Sequence, residues 1–135
     1  MKRTATAIWN GSVKDGSGTL STQSNTLNKT AYSFTSRFES GAGTNPEELI
    51  AAAHAGCFTM KLSAVLSTAG SPPTSLETNC AITLENGAIT SSHLVVKGNV
   101  PGMSAEDFKK HAEDAKANCP VSKLLNTNIS MEIQA

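Results

Sequence analysis

An α+β fold with antiparallel sheet is predicted by three features of this sequence. Short alternating stretches are punctuated by the turn signals Asp15-Gly16-Ser17-Gly18 and Asn86-Gly87, so they read as hairpin strands. A long apolar run opens on a helix-start signature at Asn45-Pro46-Glu47-Glu48. The resulting order is three strands, a helix, two strands, a helix and a last strand. It lacks the regular strand–helix alternation of a doubly wound sheet. The chain has 135 residues, enough for one domain over 1–135, and no repeat or linker divides it.

The elements follow in order. Residues 4–10 alternate small and larger side chains, and 18–23 read as the return strand. Residues 29–38, with Tyr32 and Phe34, read as a third strand that completes a meander. Ser40-Gly41-Ala42-Gly43-Thr44 is a flexible loop. Asn45 then suits an N-cap, Pro46 the first helical position, and Glu48 the third, as in a capping box. Glu47 and Glu48 both favour the positive end of the helix dipole. The helix continues to Leu66, apolar or small nearly all round, which predicts burial on most sides. His54, Thr59, Lys61 and Ser63 interrupt it too often for a membrane span. Ala51, Ala52, Ala53, Ala55 and Gly56 slim it, so that another backbone can come close. Gly70 and Pro72-Pro73 stop it.

Leu76, Thr78, Cys80, Ile82 and Leu84 share one strand face, and 88–100 form the partner strand after Asn86-Gly87. Residues 104–117 read as an amphipathic helix with Phe108, Ala112 and Ala115 on one side. Pro120 turns Cys119 away from helical geometry, and a new helical turn follows over 121–125. Ile129, Met131 and Ile133 alternate as the last strand.

Composition narrows the function. Lys+Arg 11 balances Asp+Glu 11, which argues against nucleic acid, whose binding needs a basic face. No polybasic run points to a membrane surface. After Met1-Lys2-Arg3 no apolar segment follows, so no signal peptide is read. Three cysteines without an export signal predict a cytoplasmic chain with free thiols rather than a disulfide framework. With only six aromatic residues the core of a monomer is thin, which suggests a shared core in a dimer.

Cys57, in mid-helix, is either a small core residue or a reactive thiol. Cys119 is either a structural residue or, at the N-cap of a helical turn, a thiol that unpaired N–H groups acidify. Cys80 lies among the apolar positions of its strand and reads as core. Arg37 is either a surface charge on a strand end or a guanidinium held by a carboxylate and aimed at an anion. Glu47 and Cys57 are ten residues apart, a rise of about 15 Å on an unbroken helix. If Arg37 and Glu47 act on Cys57, either the helix breaks near His54 or the pair comes from a second subunit. His54 and Cys57 share a helix face and, with Cys119, resemble the start of a zinc site, but no CxxC or HxxxH pair completes one. His93 and His111 are isolated and read as solvated.

Arg37-Phe38-Glu39, the run from Gly43-Thr44-Asn45-Pro46 through His54-Ala55-Gly56-Cys57-Phe58, and Asn118-Cys119-Pro120-Val121-Ser122 together resemble the OsmC/Ohr family of bacterial peroxidases. The resemblance spans essentially the whole chain, and the Arg upstream of the helix is similar to the OsmC branch. It implies an OsmC-like fold: antiparallel sheets around a long buried central helix, in an intertwined homodimer with interface active sites. It implies reduction of organic hydroperoxides, and less well of hydrogen peroxide, with Cys57 as the peroxidatic and Cys119 as the resolving cysteine. Arg37 and Glu47 match the activating pair. No metal, flavin or other cofactor is implied. The implied reductant is a dithiol, a lipoylated protein above all. Thiolate attack on the O–O bond leaves a sulfenic acid at Cys57, which Cys119 closes to a disulfide. Leu49, Ile50, Phe58 and Met60 then either line a pocket for the organic group or belong to the core. The competing readings are a redox sensor or small-ligand-binding dimer using the same disulfide as a switch, and a zinc module.

Overall fold

The computed structural model describes residues 1–134 and is α+β, with two three-stranded sheets. The chain divides into two compact units, Met1–Leu49 and Ile50–Ala135.

In the first unit β1 (Ala5–Asn10), β2 (Ser17–Thr22) and β3 (Thr30–Tyr32) form the expected antiparallel meander. Gly18 pairs with both Trp9 and Tyr32. Their rings meet edge-on at 5.2 Å, directly over it. A Cβ at this position would lie 2.6 Å from Trp9, Tyr32 and the Ile8 carbonyl, so only glycine lets the two rings close.

The third strand is shorter than the sequence suggests. It ends at Tyr32, and α1 (Phe34–Phe38) takes the rest of 29–38. The reason is local. The Ser36 N–H donates to Ser33 Oγ at 3.2 Å and the Ser33 N–H donates to Ser36 Oγ at 2.7 Å, a reciprocal cap that nucleates a helical turn where the aromatic alternation suggested a strand. Arg37 therefore sits in a helix rather than on a strand end. The Ser36 hydroxyl also donates to the Thr44 carbonyl at 2.9 Å, and Asn45 Nδ2 donates to the Ser36 carbonyl at 3.0 Å. These bonds tie the loop to α1. Asn45 caps α2 (Pro46–Thr68) as expected, accepting from the Glu48 N–H at 2.7 Å. The Glu48 carboxylate accepts instead from the Thr44 hydroxyl at 2.7 Å.

In the second unit β4 (Ser75–Glu85) and β5 (Ala88–Asn99) form a hairpin. Asn86 and Gly87 both take positive φ (50° and 80°) in its turn. β6 (Asn128–Ile133) joins β5 in parallel, which corrects the expectation of purely antiparallel sheets. The chain leaves β5, runs through α3 (Ala105–Asn118) and α4 (Pro120–Leu124), and returns in the same direction. A crossover of that length permits parallel pairing where a tight turn forbids it.

Phe58, Leu62 and Leu66 of α2 share one buried cluster with Leu94 and Val96 of β5 and with Phe108, Ala112 and Ala115 of α3. The stripe from His54 to Leu66 repeats every four residues, one face of the helix. Burial on most sides is not found within the chain. Ala52, Ala53, Gly56 and Ala64 are exposed, as is Met60 at 78%. α2 has the length and hydropathy of a membrane span, yet its buried stripe carries a histidine hydrogen-bonded at both ring nitrogens.

Candidate active site

Arg37 and Glu47 meet within the first unit. Arg37 Nη2 donates to Glu47 Oε1 at 2.8 Å, and Nε lies 3.2 and 3.3 Å from the two carboxylate oxygens. This fork fixes the guanidinium plane. The carboxylate is nearly buried and the guanidinium is 41% exposed, so the cation keeps an accessible face. Phe38 lies beneath it, 5.1 Å from its carbon. Trp9, Val13, Tyr32, Phe34 and Phe38 line a cavity of about 220 Å³ that Arg37 borders. Phe34 and Phe38 were legible as strand residues only. Their place beside Arg37 follows from the helical turn that the strand reading missed. Of the residues named for an apolar pocket, Phe58 is core, and Met60 borders an open groove of about 720 Å³ with Gly56, Thr59 and Thr78.

The two cysteines 57 and 119 meet in the second unit. Cys57 packs against the core cluster that contains Cys119. Burial pushes the Cys57 thiol up. The Val121 backbone N–H, in the first turn of α4, opposes that, and the neighbouring Cys119 adds to the rise. Cys119 is fully buried and is the N-cap of α4, as its place before Pro120 indicated. Its sulfur accepts from the Ser122 N–H at 3.4 Å. All three cysteines are free thiols.

Sequence reasoning missed what surrounds Cys119. Ser122 Oγ lies 3.0 Å from Cys119 Sγ and 2.8 Å from His54 Nε2. His54 Nδ1 lies 2.6 Å from Ser92 Oγ, which is 3.3 Å from Cys80 Sγ. His54 and Ser92 are fully buried, and Ser122 nearly so. The available signal was the position of His54 on the Phe58–Leu62–Leu66 stripe. A histidine buried there must find partners for both nitrogens. Both are taken by hydroxyls, which leaves His54 no lone pair for the zinc site suggested by its spacing to Cys57. Among the described residues no cluster of three or more His, Cys, Asp or Glu side chains is arranged to hold a metal ion. Burial raises Cys80 as well, and the Ser92 hydroxyl partly offsets it. His93 bonds Ser130 across the β5–β6 pair at 2.6 Å, away from this network.

The arrangement supplies a thiol pair with a helical-turn N–H beside it, and a clamped guanidinium on a separate element. The first is suited to reversible disulfide chemistry and the second to stabilising an anion.

Comparison with known proteins gives concordant results. The family model described as OsmC-like protein matches residues 39–134. Peroxiredoxin OsmC of Escherichia coli (strain K12) is 46% identical over 132 residues, covering 95% of this chain and 92% of that protein. The organic hydroperoxide resistance protein-like 2 of Staphylococcus epidermidis is 32% identical over 100 residues, covering 70% and 69%. The crystal structure of the organic hydroperoxide resistance protein OhrB of Bacillus subtilis superposes with a TM-score of 0.70 at 22% identity, covering 97% of this chain and 98% of that one.

Proposed function

The chain belongs to the OsmC-like protein family, and we propose that it is a peroxiredoxin-like reductase of organic hydroperoxides that works through Cys57 and Cys119. The observation that carries this reading is the closeness of Cys57, on α2, to Cys119, the cap of α4, in one packed cluster. In the first step the Cys57 thiolate attacks one peroxide oxygen. The S–O bond forms, the O–O bond breaks, and the alkoxide leaves and is protonated to the alcohol. Cys57 becomes a sulfenic acid, two electrons oxidised. Cys119 then attacks that sulfur, the disulfide closes, and water is lost. An external dithiol, of which a lipoylated protein is the expected kind, returns both cysteines to thiols.

The first step needs an ionised Cys57, and burial works against it. Arg37, kept planar by Glu47, is the cation this reading assigns to Cys57 and to the departing alkoxide. α2 runs unbroken from Pro46 to Thr68, and ten residues of helix rise about 15 Å between Glu47 and Cys57. The reading therefore takes Arg37 and Glu47 from a second copy of the chain. The exposed small-residue side of α2 is consistent with such a homodimer. The aromatic cavity beside Arg37 suits the organic group of the substrate. Residues 1–135 serve as one functional domain, in the cytoplasm.

The test is turnover of an alkyl hydroperoxide with excess dithiol. The wild-type chain is expected to turn over many times, Cys57→Ser not at all, and Cys119→Ser once before Cys57 over-oxidises. Unchanged turnover in Cys57→Ser removes the proposal. Oxidation that stops at one equivalent despite excess dithiol identifies a redox switch instead.

A further inference from the structure

We propose that His54 is a positioning residue for Cys119, and that it takes the Cys119 proton through Ser122 as Cys119 condenses with oxidised Cys57. This rests on the reading of Cys119 as the resolving cysteine. Three observations lead to it. His54 is fully buried in the core, where a histidine costs stability unless both nitrogens are satisfied. Both are satisfied by hydroxyls, at 2.6 and 2.8 Å, from two different elements. One of those hydroxyls, on Ser122, is also 3.0 Å from the sulfur of Cys119.

The hydrogen-bond directions agree with a proton path. With Nδ1–H donating to Ser92, Nε2 is an acceptor. The Ser122 O–H then donates to Nε2, and the remaining lone pair of Ser122 accepts the Cys119 S–H. At the far end the Ser92 O–H donates to Cys80 Sγ, so every member has a partner. Burial holds His54 below its ordinary value, which keeps it neutral and able to accept at neutral pH. Once Cys119 is a thiolate, the Ser122 N–H at 3.4 Å and the Ser122 O–H both point at the charge.

The condensation then balances. The thiol proton moves to Ser122 as the proton of Ser122 moves to Nε2, and the S–S bond forms. The S–O bond of the sulfenic acid breaks and its electron pair leaves as hydroxide. That hydroxide and the proton stored on His54 make up the water lost. In the return step one thiol of the dithiol attacks Cys57 and gives up its proton, the S–S bond breaks and Cys119 leaves as thiolate, and the released proton reaches it by the same path, through Nε2 and Ser122.

The experiment is single-turnover kinetics with one equivalent of cumene hydroperoxide, following peroxide loss and Cys57–Cys119 disulfide formation separately. His54→Gln keeps an acceptor and a donor but cannot carry a proton. Ser122→Ala cuts the path without enlarging any side chain. In both, disulfide formation is expected to slow about a hundredfold. Peroxide loss keeps the wild-type rate, and a sulfenic-acid trap captures Cys57. Disulfide formation at the wild-type rate in either variant overturns the proposal. So does equal slowing of both steps, or failure of both variants to fold, since either result leaves His54 a packing role alone. Absence of the disulfide in the wild-type chain overturns the underlying reading of Cys119 instead.

Discussion

Removing the Ser92 hydroxyl tests whether the buried His54 network organises the core of the second unit. Ser92→Ala deletes one oxygen atom that is fully buried and lies 2.6 Å from His54 Nδ1. Among the described residues the other polar atom beside Nδ1 is Cys80 Sγ at 4.0 Å, too far and too weak a partner to replace it. The small void left behind is minor beside the cost of an orphaned ring nitrogen. That cost is about 1–3 kcal/mol, and about 2 is expected here. With a urea slope of about 2 kcal/mol per M for a chain of this size, the unfolding midpoint falls by about 1 M. Equilibrium urea denaturation followed by far-UV circular dichroism reads the shift. The same substitution in a His54→Leu background has no nitrogen to orphan, so most of its cost disappears there. A midpoint that does not move, or an equal loss in both backgrounds, refutes the reasoning.

Three further outcomes are expected. His54 is held below its ordinary value by burial, so between about 6.5 and its lower folded value the unfolded chain binds a proton that the folded chain does not. Stability is complete above that window and falls as the pH drops through it, with a slope of up to about 1.4 kcal/mol per pH unit. Denaturation midpoints across that range, with His54→Gln lacking the slope, check this. Gly18→Ala drives a Cβ to 2.6 Å from two rings and a carbonyl and destabilises the first meander by about 1–3 kcal/mol, read as lost near-UV dichroism of Trp9 and Tyr32. Glu47→Gln loosens the Arg37 fork and lowers kcat/KM for an alkyl hydroperoxide by about 10–100-fold. Its pair is part-exposed, so the stability read by urea denaturation changes by less than about 1 kcal/mol.

Most element boundaries were legible because their signals are local. Asn45 and Ser104 each accept an N–H three residues on, so the cap needs no knowledge of the fold. Asn86-Gly87 carries the positive φ values its hairpin demands, and Cys119-Pro120 restarts the chain as a new helical turn. Ser33 and Ser36 were equally local, yet the aromatic spacing of Tyr32 and Phe34 masked them. Position along the chain also told that Glu47 and Cys57 lie far apart on one helix, and the paired cysteine motifs identified the family.

The sequence by itself determined the caps, turns and alternating faces, since each depends on neighbours within a few residues. Tertiary structure alone decided that β6 runs parallel to β5, that only one face of α2 is buried within the chain, and that His54 joins Ser92 and Ser122, which lie 38 and 68 positions away. Those outcomes depend on which surfaces pack together when apolar groups leave water. A buried imidazole takes whatever hydroxyls that packing brings within reach, and nothing in its own neighbourhood along the chain names them.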